Sequence, residues 1–195
     1  MKTISPAAVI AVAAIAAFSG WITIRAKTLE EDFDKRGFAI NATGKPAPAL
    51  ALPALDGHTV SLADYRGKKN VLIVYWASWC SPWRAEIPFL DRLYKGLKNS
   101  SQEFEILGVS VDEDRSEAEK FVRENNMTYP VLLDPGRKTV DAFHVESVPS
   151  LVLVDRNGQI VYGHSGFDQR TQFELAGKLG AAGFRMGGMD GRRGN

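Results

Sequence analysis

Two continuous apolar segments constrain the fold of this chain more than any other feature. Residues 71–76 (VLIVYW) and 104–111 (FEILGVSV) are rich in β-branched and aromatic side chains. Such runs are typical of strands buried on both faces in a sheet that helices cover. Helical patterns follow each run, with apolar residues at helical spacing up to Asn99 and an amphipathic segment at 116–125. Strands that alternate with helices predict an α/β sandwich around a mixed sheet.

The remaining segments extend this pattern. A short strand is predicted at 131–133, a short helix at 137–143 and a final helix at 168–179. The pair Asn157-Gly158 lies between two apolar runs and predicts a hairpin with a type I′ turn. Asp56-Gly57 predicts an earlier hairpin, followed by a helical turn at 61–66.

Composition limits the classes of function. The chain has 195 residues and 45% hydrophobic content, so one globular domain with an appendage is expected. A net charge of +1 without a basic run gives no reason to expect nucleic acid as a partner. The single cysteine excludes an intramolecular disulfide and a multi-cysteine metal site, and the three histidines lack metal-ligand spacing. No metal and no cofactor are therefore expected.

The N-terminal region predicts export from the cytoplasm. Residues 4–24 carry no charge and are long enough to cross a hydrocarbon core of about 30 Å as a helix. Residues 17–19 (AFS) resemble a small-x-small cleavage site, so the segment is either an uncleaved anchor or a cleaved signal peptide. We expect a single-pass cell-membrane anchor with the domain on the periplasmic or extracytoplasmic side, or a secreted domain if the leader is cleaved.

The predicted domain organisation has four parts. Residues 1–26 are the membrane anchor or signal peptide, and residues 27–43 are a charged linker. Residues 44–182 form the folded domain. Residues 183–195 are rich in Gly and Arg, which predicts a disordered tail.

Cys80 lies where α/β proteins place their ligands. It follows a buried strand and precedes a predicted helix, and in open α/β sheets this edge carries the binding site. Backbone N–H groups and the helix dipole there favour a thiolate, and Arg84 adds positive charge nearby. The alternative is a buried cysteine that acts as a small hydrophobe. A core cysteine would be expected inside the strand, whereas Cys80 lies in the Ser- and Pro-containing turn after it.

Residues 71–88 (VLIVYWASWCSPWRAEIP) resemble the active-site segment of the TlpA/ResA-like thioredoxin-fold family, of the redoxin or AhpC/TSA type. That family has the pattern W-C-x-P-C-R-x-E-x-P. Only Trp83 departs from it; the positions that match are Trp79, Cys80, Pro82, Arg84, Glu86 and Pro88. The resemblance covers about residues 42–180. It implies a thioredoxin-like three-layer α/β/α sandwich around a mixed central sheet, with an N-terminal β-hairpin after the transmembrane or signal helix.

The resemblance also implies roles for individual residues. Cys80 would be an exposed attacking thiol, and Glu86 would tune it and transfer protons. The alternative for Glu86 is a solvated carboxylate in the first turn of a helix, where the helix dipole favours it. Pro149 would be a cis-proline facing Cys80, which would leave the Val148 backbone free to pair with an incoming peptide. Trp79 would flank the substrate groove, although core packing is an alternative for it. The predicted catalytic residues are thus Cys80 and Glu86, and the predicted substrate-binding residues are Trp79, Trp83, Val148 and Pro149.

Trp83 occupies the position of the second, resolving cysteine. Without that thiol the chain cannot release a mixed disulfide by an intramolecular step. Val74 also stands where thioredoxins proper carry an aspartate that helps to deprotonate the second cysteine.

Three functions stay open. The first is a monothiol thiol–disulfide oxidoreductase, tethered to the membrane and serving cytochrome c maturation or periplasmic thiol redox. Its partner would be a cysteine-containing protein or a low-molecular-weight thiol. The second is a non-catalytic binding or scaffold module in which Trp83 plugs the site. The third is a single-cysteine peroxidase, although Ala77 stands where such sites usually carry Thr or Ser.

Overall fold

The computed structural model of the chain describes residues 43–100, 103–166 and 168–181. The predicted anchor or signal peptide (1–26), all but one residue of the predicted linker and the predicted tail (183–195) lie outside these ranges. Within the ranges, no helix combines the length and apolar character that crossing a membrane requires.

A mixed sheet of five strands forms the centre of the domain. Its order is β5-β4-β3-β6-β7, from strands β3 (Asn70–Trp76), β4 (Phe104–Ser110), β5 (Val131–Leu133), β6 (Ser150–Val154) and β7 (Ile160–Ser165). Strands β3, β4 and β5 run parallel, whereas β6 is antiparallel to both β3 and β7. Every residue of β3 and β4 is buried, so both faces of the sheet centre are covered. The predicted mixed α/β fold with a central mixed sheet is confirmed.

The described residues form four α-helices around the sheet: α1 (Ile87–Ser100), α2 (Arg115–Glu124), α3 (Lys138–Ala142) and α4 (Gln169–Ala181). Helix α1 packs against β4, and α4 packs against β7. Asp114 caps α2 by accepting a hydrogen bond from the Ser116 N–H at 2.8 Å. For most helix termini, the helical patterns in the sequence predicted the position to within two residues.

The segment after Cys80 differs from its prediction. One continuous helix was expected from Pro82 to Asn99, but residues Ser81–Ala85 form a 3₁₀ helix and α1 begins only at Ile87. Pro88 has no N–H with which to continue the preceding turn, and it is tolerated in the first turn of a new helix. Glu86 is therefore the junction between the two helices.

Two hairpins flank the central strands. Strands β1 (Ala51–Pro53) and β2 (Thr59–Ser61) pair antiparallel across the turn that contains Gly57, whose φ is 93°. The predicted type I′ turn between β6 and β7 is wrong, because that turn needs positive φ at both central residues and only Gly158 has it. The Asp155 carboxylate instead accepts hydrogen bonds from the N–H groups of Asn157 and Gln159.

Candidate active site

Cys80 lies at the carboxyl end of the central parallel strands. Strand β3 ends at Trp76, beside the end of β4 at Ser110, and Cys80 immediately precedes the 3₁₀ helix Ser81–Ala85. The expectation of an exposed thiol is wrong for this conformation, since Cys80 is only 7% exposed. The loop before β6, the strand next to β3, lies against it: the Cys80 thiol donates a hydrogen bond to the Val148 carbonyl, with Sγ and O 3.5 Å apart.

The Val148–Pro149 peptide bond is cis, as the family resemblance implied. Pro149 immediately precedes β6, and the pairing of Ser150 with Tyr75 brings this segment beside β3. The Pro149 carbonyl accepts a hydrogen bond from the Gly166 N–H at 2.7 Å. The Val148 carbonyl, which was expected to be free for an incoming peptide, is occupied by the Cys80 thiol in this conformation.

A buried carboxylate holds the turn that carries Cys80, and the sequence-based prediction missed it. Asp112 is 4% exposed. Its carboxylate accepts hydrogen bonds from the Ser78 N–H at 3.0 and 3.1 Å, from the Ser78 hydroxyl at 2.8 Å and from the Ser110 hydroxyl at 2.8 Å. The signal was present, because Asp112 follows the second central strand and the carboxyl ends of parallel neighbours meet at one edge.

Trp83 packs inside the domain. Its side chain has no exposed surface, and its ring stacks on Trp76 with the centroids 6.4 Å apart and the planes 15° apart. The predicted contact between the Trp83 side chain and a substrate is therefore not available in this conformation. The large apolar ring gains more from burial than it would at the surface, so it fills the interior beneath Cys80's turn.

Trp79, in contrast, projects into solvent. It is 66% exposed, so the alternative of core packing is wrong. The side chain lies between two concave surfaces that also share Ser78 and Glu117, with volumes of about 480 and about 210 Å³. Arg84 lines the smaller one and places its guanidinium 5.0 Å from the centre of the Phe121 ring. The exposed Trp79 indole therefore flanks the Cys80 turn, next to surfaces lined by both apolar and charged side chains.

Glu86 is half-buried at the junction between the 3₁₀ helix and α1. Its Oε2 accepts a hydrogen bond from Gln172 Nε2 on α4 at 3.1 Å. Burial raises the pKa of Glu86, the Gln172 hydrogen bond acts in the opposite direction, and the negative charge of Asp168 raises the pKa further. Glu86 thus holds its proton to a higher pH than an ordinary glutamate does, which suits a group that exchanges protons.

Among the described residues, no three His, Cys, Asp or Glu side chains are grouped closely enough to hold a metal ion.

Comparison with known proteins places this arrangement in context. Residues 43–163 match the AhpC/TSA family. The thiol-disulfide oxidoreductase ResA of Geobacillus kaustophilus is 37% identical over 119 residues, which cover 61% of this chain and 67% of that protein.

Solved structures of thiol–disulfide oxidoreductases and interchange proteins are also similar to this chain. The thioredoxin domain of a thiol-disulfide oxidoreductase from Bacteroides vulgatus superposes with a TM-score of 0.62 at 30% identity, covering 71% of this chain and 97% of that one. A thiol:disulfide interchange protein from Bacteroides sp. superposes with a TM-score of 0.61 at 29% identity, covering 78% of this chain and 95% of that one.

Proposed function

Because this chain belongs to the AhpC/TSA family, as a ResA-like member with Trp83 in place of the second active-site cysteine, we propose that it is a thiol–disulfide oxidoreductase that works through Cys80 alone. The single observation that carries the proposal is the pairing of the Cys80 thiol with the cis-proline loop at Val148. A thiol at the end of a central strand, against a backbone that an extended peptide can pair with, is the arrangement that thiol–disulfide exchange needs.

The proposed reaction has two exchange steps. The Cys80 thiolate attacks one sulfur of a substrate disulfide, a Cys80–substrate disulfide forms, and the other substrate sulfur leaves as a thiolate. An external thiolate then attacks the substrate sulfur of that mixed disulfide and releases Cys80 as a thiolate. The substrate disulfide is replaced by one between the substrate and the external thiol, and Cys80 returns to its starting state.

Opening of the Val148 contact precedes the first step in this proposal. With 7% of its surface exposed, Cys80 cannot reach a disulfide until its hydrogen bond to the Val148 carbonyl breaks. The substrate backbone would then take the place of the thiol at Val148 and Pro149. Glu86 would accept the Cys80 proton, and Trp79 would contact the apolar part of the substrate.

We further propose where the protein acts. Residues 4–24 would tether the domain to the cell membrane on its periplasmic or extracytoplasmic side, or direct its secretion if cleaved. The partner would be a cysteine-containing protein or a low-molecular-weight thiol, in cytochrome c maturation or general thiol redox.

A second candidate function, a non-catalytic binding module, is favoured by one observation. Cys80 and Trp83 are both buried, so the region offers Trp79 to a partner more readily than it offers a thiol. A peroxidase has no comparable support, because the Ser78 hydroxyl donates to Asp112 and Ala77 has no hydroxyl.

Mixed-disulfide formation distinguishes the candidates. The purified protein is incubated with glutathione disulfide, or with a peptide that carries an activated disulfide. Its mass is then measured by intact-protein mass spectrometry. We expect one added glutathione or peptide on the wild type and none on Cys80→Ser. An unmodified wild type, in a folded sample whose Cys80 reacts after denaturation, would leave the binding module as the better candidate.

A further inference from the structure

The C-terminal helix α4 contributes directly to the candidate active site, although no motif of the sequence points to it. Gln172, in the second turn from its start, donates to Glu86 across 86 residues of sequence, with Nε2 and Oε2 3.1 Å apart. This is the bond that joins α4 to the junction between the 3₁₀ helix and α1. We propose that Gln172 is a positioning residue that holds the Glu86 carboxyl, and that Asp168, whose carbonyl accepts the Gln172 N–H at 3.0 Å one turn earlier, acts on the same carboxyl through its negative charge.

Asp168 is fixed for this role by the way in which α4 begins. Its Oδ1 accepts hydrogen bonds from the Thr171 N–H at 2.8 Å and from the Thr171 hydroxyl at 2.9 Å. These bonds lower the pKa of Asp168, so it remains an anion where Glu86 titrates. The negative charge opposes ionisation of Glu86, and the Gln172 amide N–H favours it. Helix α4 thereby supplies two groups that act in opposite directions on the pKa of Glu86.

Three further ionisable side chains near Glu86 in the sequence or on neighbouring elements have interactions of their own. Arg84, two residues before it, lies over the Phe121 ring at 5.0 Å. Arg170 on α4 pairs with Glu174 at 3.0 Å. His164, on β7, acts on Asp168 and lowers its pKa. The Glu86 carboxyl is acted on by the hydrogen bond from Gln172 and by the negative charge of Asp168.

The inference rests on the proposed function in one respect only, namely that Glu86 accepts the proton of Cys80. If Glu86 accepts the Cys80 proton, the pH dependence of exchange at Cys80 follows the titration of Glu86. The position of that titration is a separate property of the carboxyl and can be measured without any reaction of the thiol. The two statements can therefore fail independently.

The test is an NMR titration of the full-length protein labelled with ¹³C at the glutamate side-chain carboxyls, with Glu86→Gln used to assign the signal. We expect Gln172→Leu to move the Glu86 midpoint to higher pH and Asp168→Asn to move it to lower pH. Asparagine can still cap α4, so the second variant removes mainly the charge. Lys178→Ala, an exposed change on the same helix, should leave the midpoint in place.

Three outcomes have different meanings. Midpoints that stay in place in both Gln172→Leu and Asp168→Asn, in folded samples, overturn the inference whatever Cys80 does. Midpoints that move as expected support it. If the rate of mixed-disulfide formation at Cys80 then shows no parallel change with pH, the inference stands and the role of Glu86 in the proposed function is wrong.

Discussion

Four hydrogen bonds converge on the Asp112 carboxylate, and at the scale of single residues they decide where Cys80 is. Three of them come from Ser78, two residues before the cysteine. Ser78 and Asp112 are far apart in sequence and adjacent in space, so a change at Asp112 acts on the thiol through the turn. Asp112 is thus a positioning residue and makes no contact with a reacting sulfur.

Asp112→Ala should cost about 1–3 kcal/mol of unfolding free energy, because it leaves the Ser78 N–H without its acceptor. It should also change the rate at which iodoacetamide modifies Cys80 in the native protein. Ser110→Ala is the matched control, since it removes one bond to the same carboxylate and the acceptor of the Asp112 N–H but leaves the bonds from Ser78. An alkylation rate equal to that of the wild type would contradict the positioning role.

Glu86 gives a prediction about pH and stability. Since burial raises its pKa, the folded chain holds a proton that the unfolded chain releases once the pH exceeds the ordinary glutamate value. Wild-type stability therefore falls as the pH rises through the raised pKa, and Glu86→Gln lacks this loss. We expect the unfolding free energy of Glu86→Gln, relative to wild type, to increase between about pH 4 and about pH 7. Urea titrations measure it, with Glu124→Gln as an exposed control; a difference that stays constant with pH would refute the prediction.

The family pattern named the candidate site residues and the cis bond at Pro149, but it did not predict how exposed those residues are. The W-C-x-P pattern located Cys80, and the resemblance implied the cis bond at Pro149. Burial of Cys80 depends on a loop 68 residues away, and no local pattern carries that information. Trp83 shows the same limit, because an aromatic residue in a turn is equally compatible with a surface and with a core position.

At the scale of elements, the 3₁₀ helix Ser81–Ala85 preserves the spacing of a two-cysteine site. The Trp83 N–H donates to the Cys80 carbonyl at 3.1 Å, so positions 80 and 83 lie on one turn. The turn that would present both thiols is thus still formed, with Trp83 in the resolving position.

Trp83→Cys should therefore form a disulfide with Cys80 on oxidation, detectable as two thiols that resist alkylation until reduced. The loss of the buried ring should cost about 3–5 kcal/mol, as other large-to-small aromatic changes do. Trp83→Ala leaves a similar cavity without a thiol and separates the two effects. A folded, oxidised Trp83→Cys protein with both thiols free would show that the turn no longer has the geometry of a two-cysteine site.

Strand β4 makes a second prediction at this scale. A methyl group on Gly108 would lie 2.9 Å from Tyr129 Cε2 and 3.1 Å from Trp76 Nε1, both in buried side chains. Gly108→Ala should therefore destabilise the protein by about 1–3 kcal/mol. Gly96→Ala in α1 meets nothing within 4 Å and should stabilise the helix by up to about 1 kcal/mol. Thermal unfolding of both variants checks the pair, and a neutral Gly108→Ala would contradict the packing described here.

Elements were predictable where one strong local signal exists. Continuous apolar runs located β3 and β4, because a strand buried on both faces needs apolar residues at successive positions. The break at Glu86 and the turn at Gly158 depend on backbone hydrogen bonds that proline and Asp155 redirect. Those two details therefore needed the structure.

At the scale of the whole molecule, four separate segments meet at one edge of the sheet. The 3₁₀ helix supplies Cys80, the loop before β6 supplies Val148 and Pro149, the end of β4 leads to Asp112, and α4 supplies Gln172. The mixed order of the sheet brings them together, because β3 lies between β4 and β6. The position of the Cys80 thiol thus depends on several segments of the fold. We expect it to be kept when the packing of Trp83 alone is lost.

The central claim is that Cys80 exchanges disulfides and that an external thiol completes the cycle. The most direct test is an assay in which free glutathione reduces a peptide–glutathione mixed disulfide in the presence of the protein. The rate is measured from the release of the peptide thiol. We predict that the wild type accelerates this reaction several-fold over Cys80→Ser, with a rate that rises with glutathione concentration. Equal rates for wild type and Cys80→Ser, with both proteins folded, would contradict the claim.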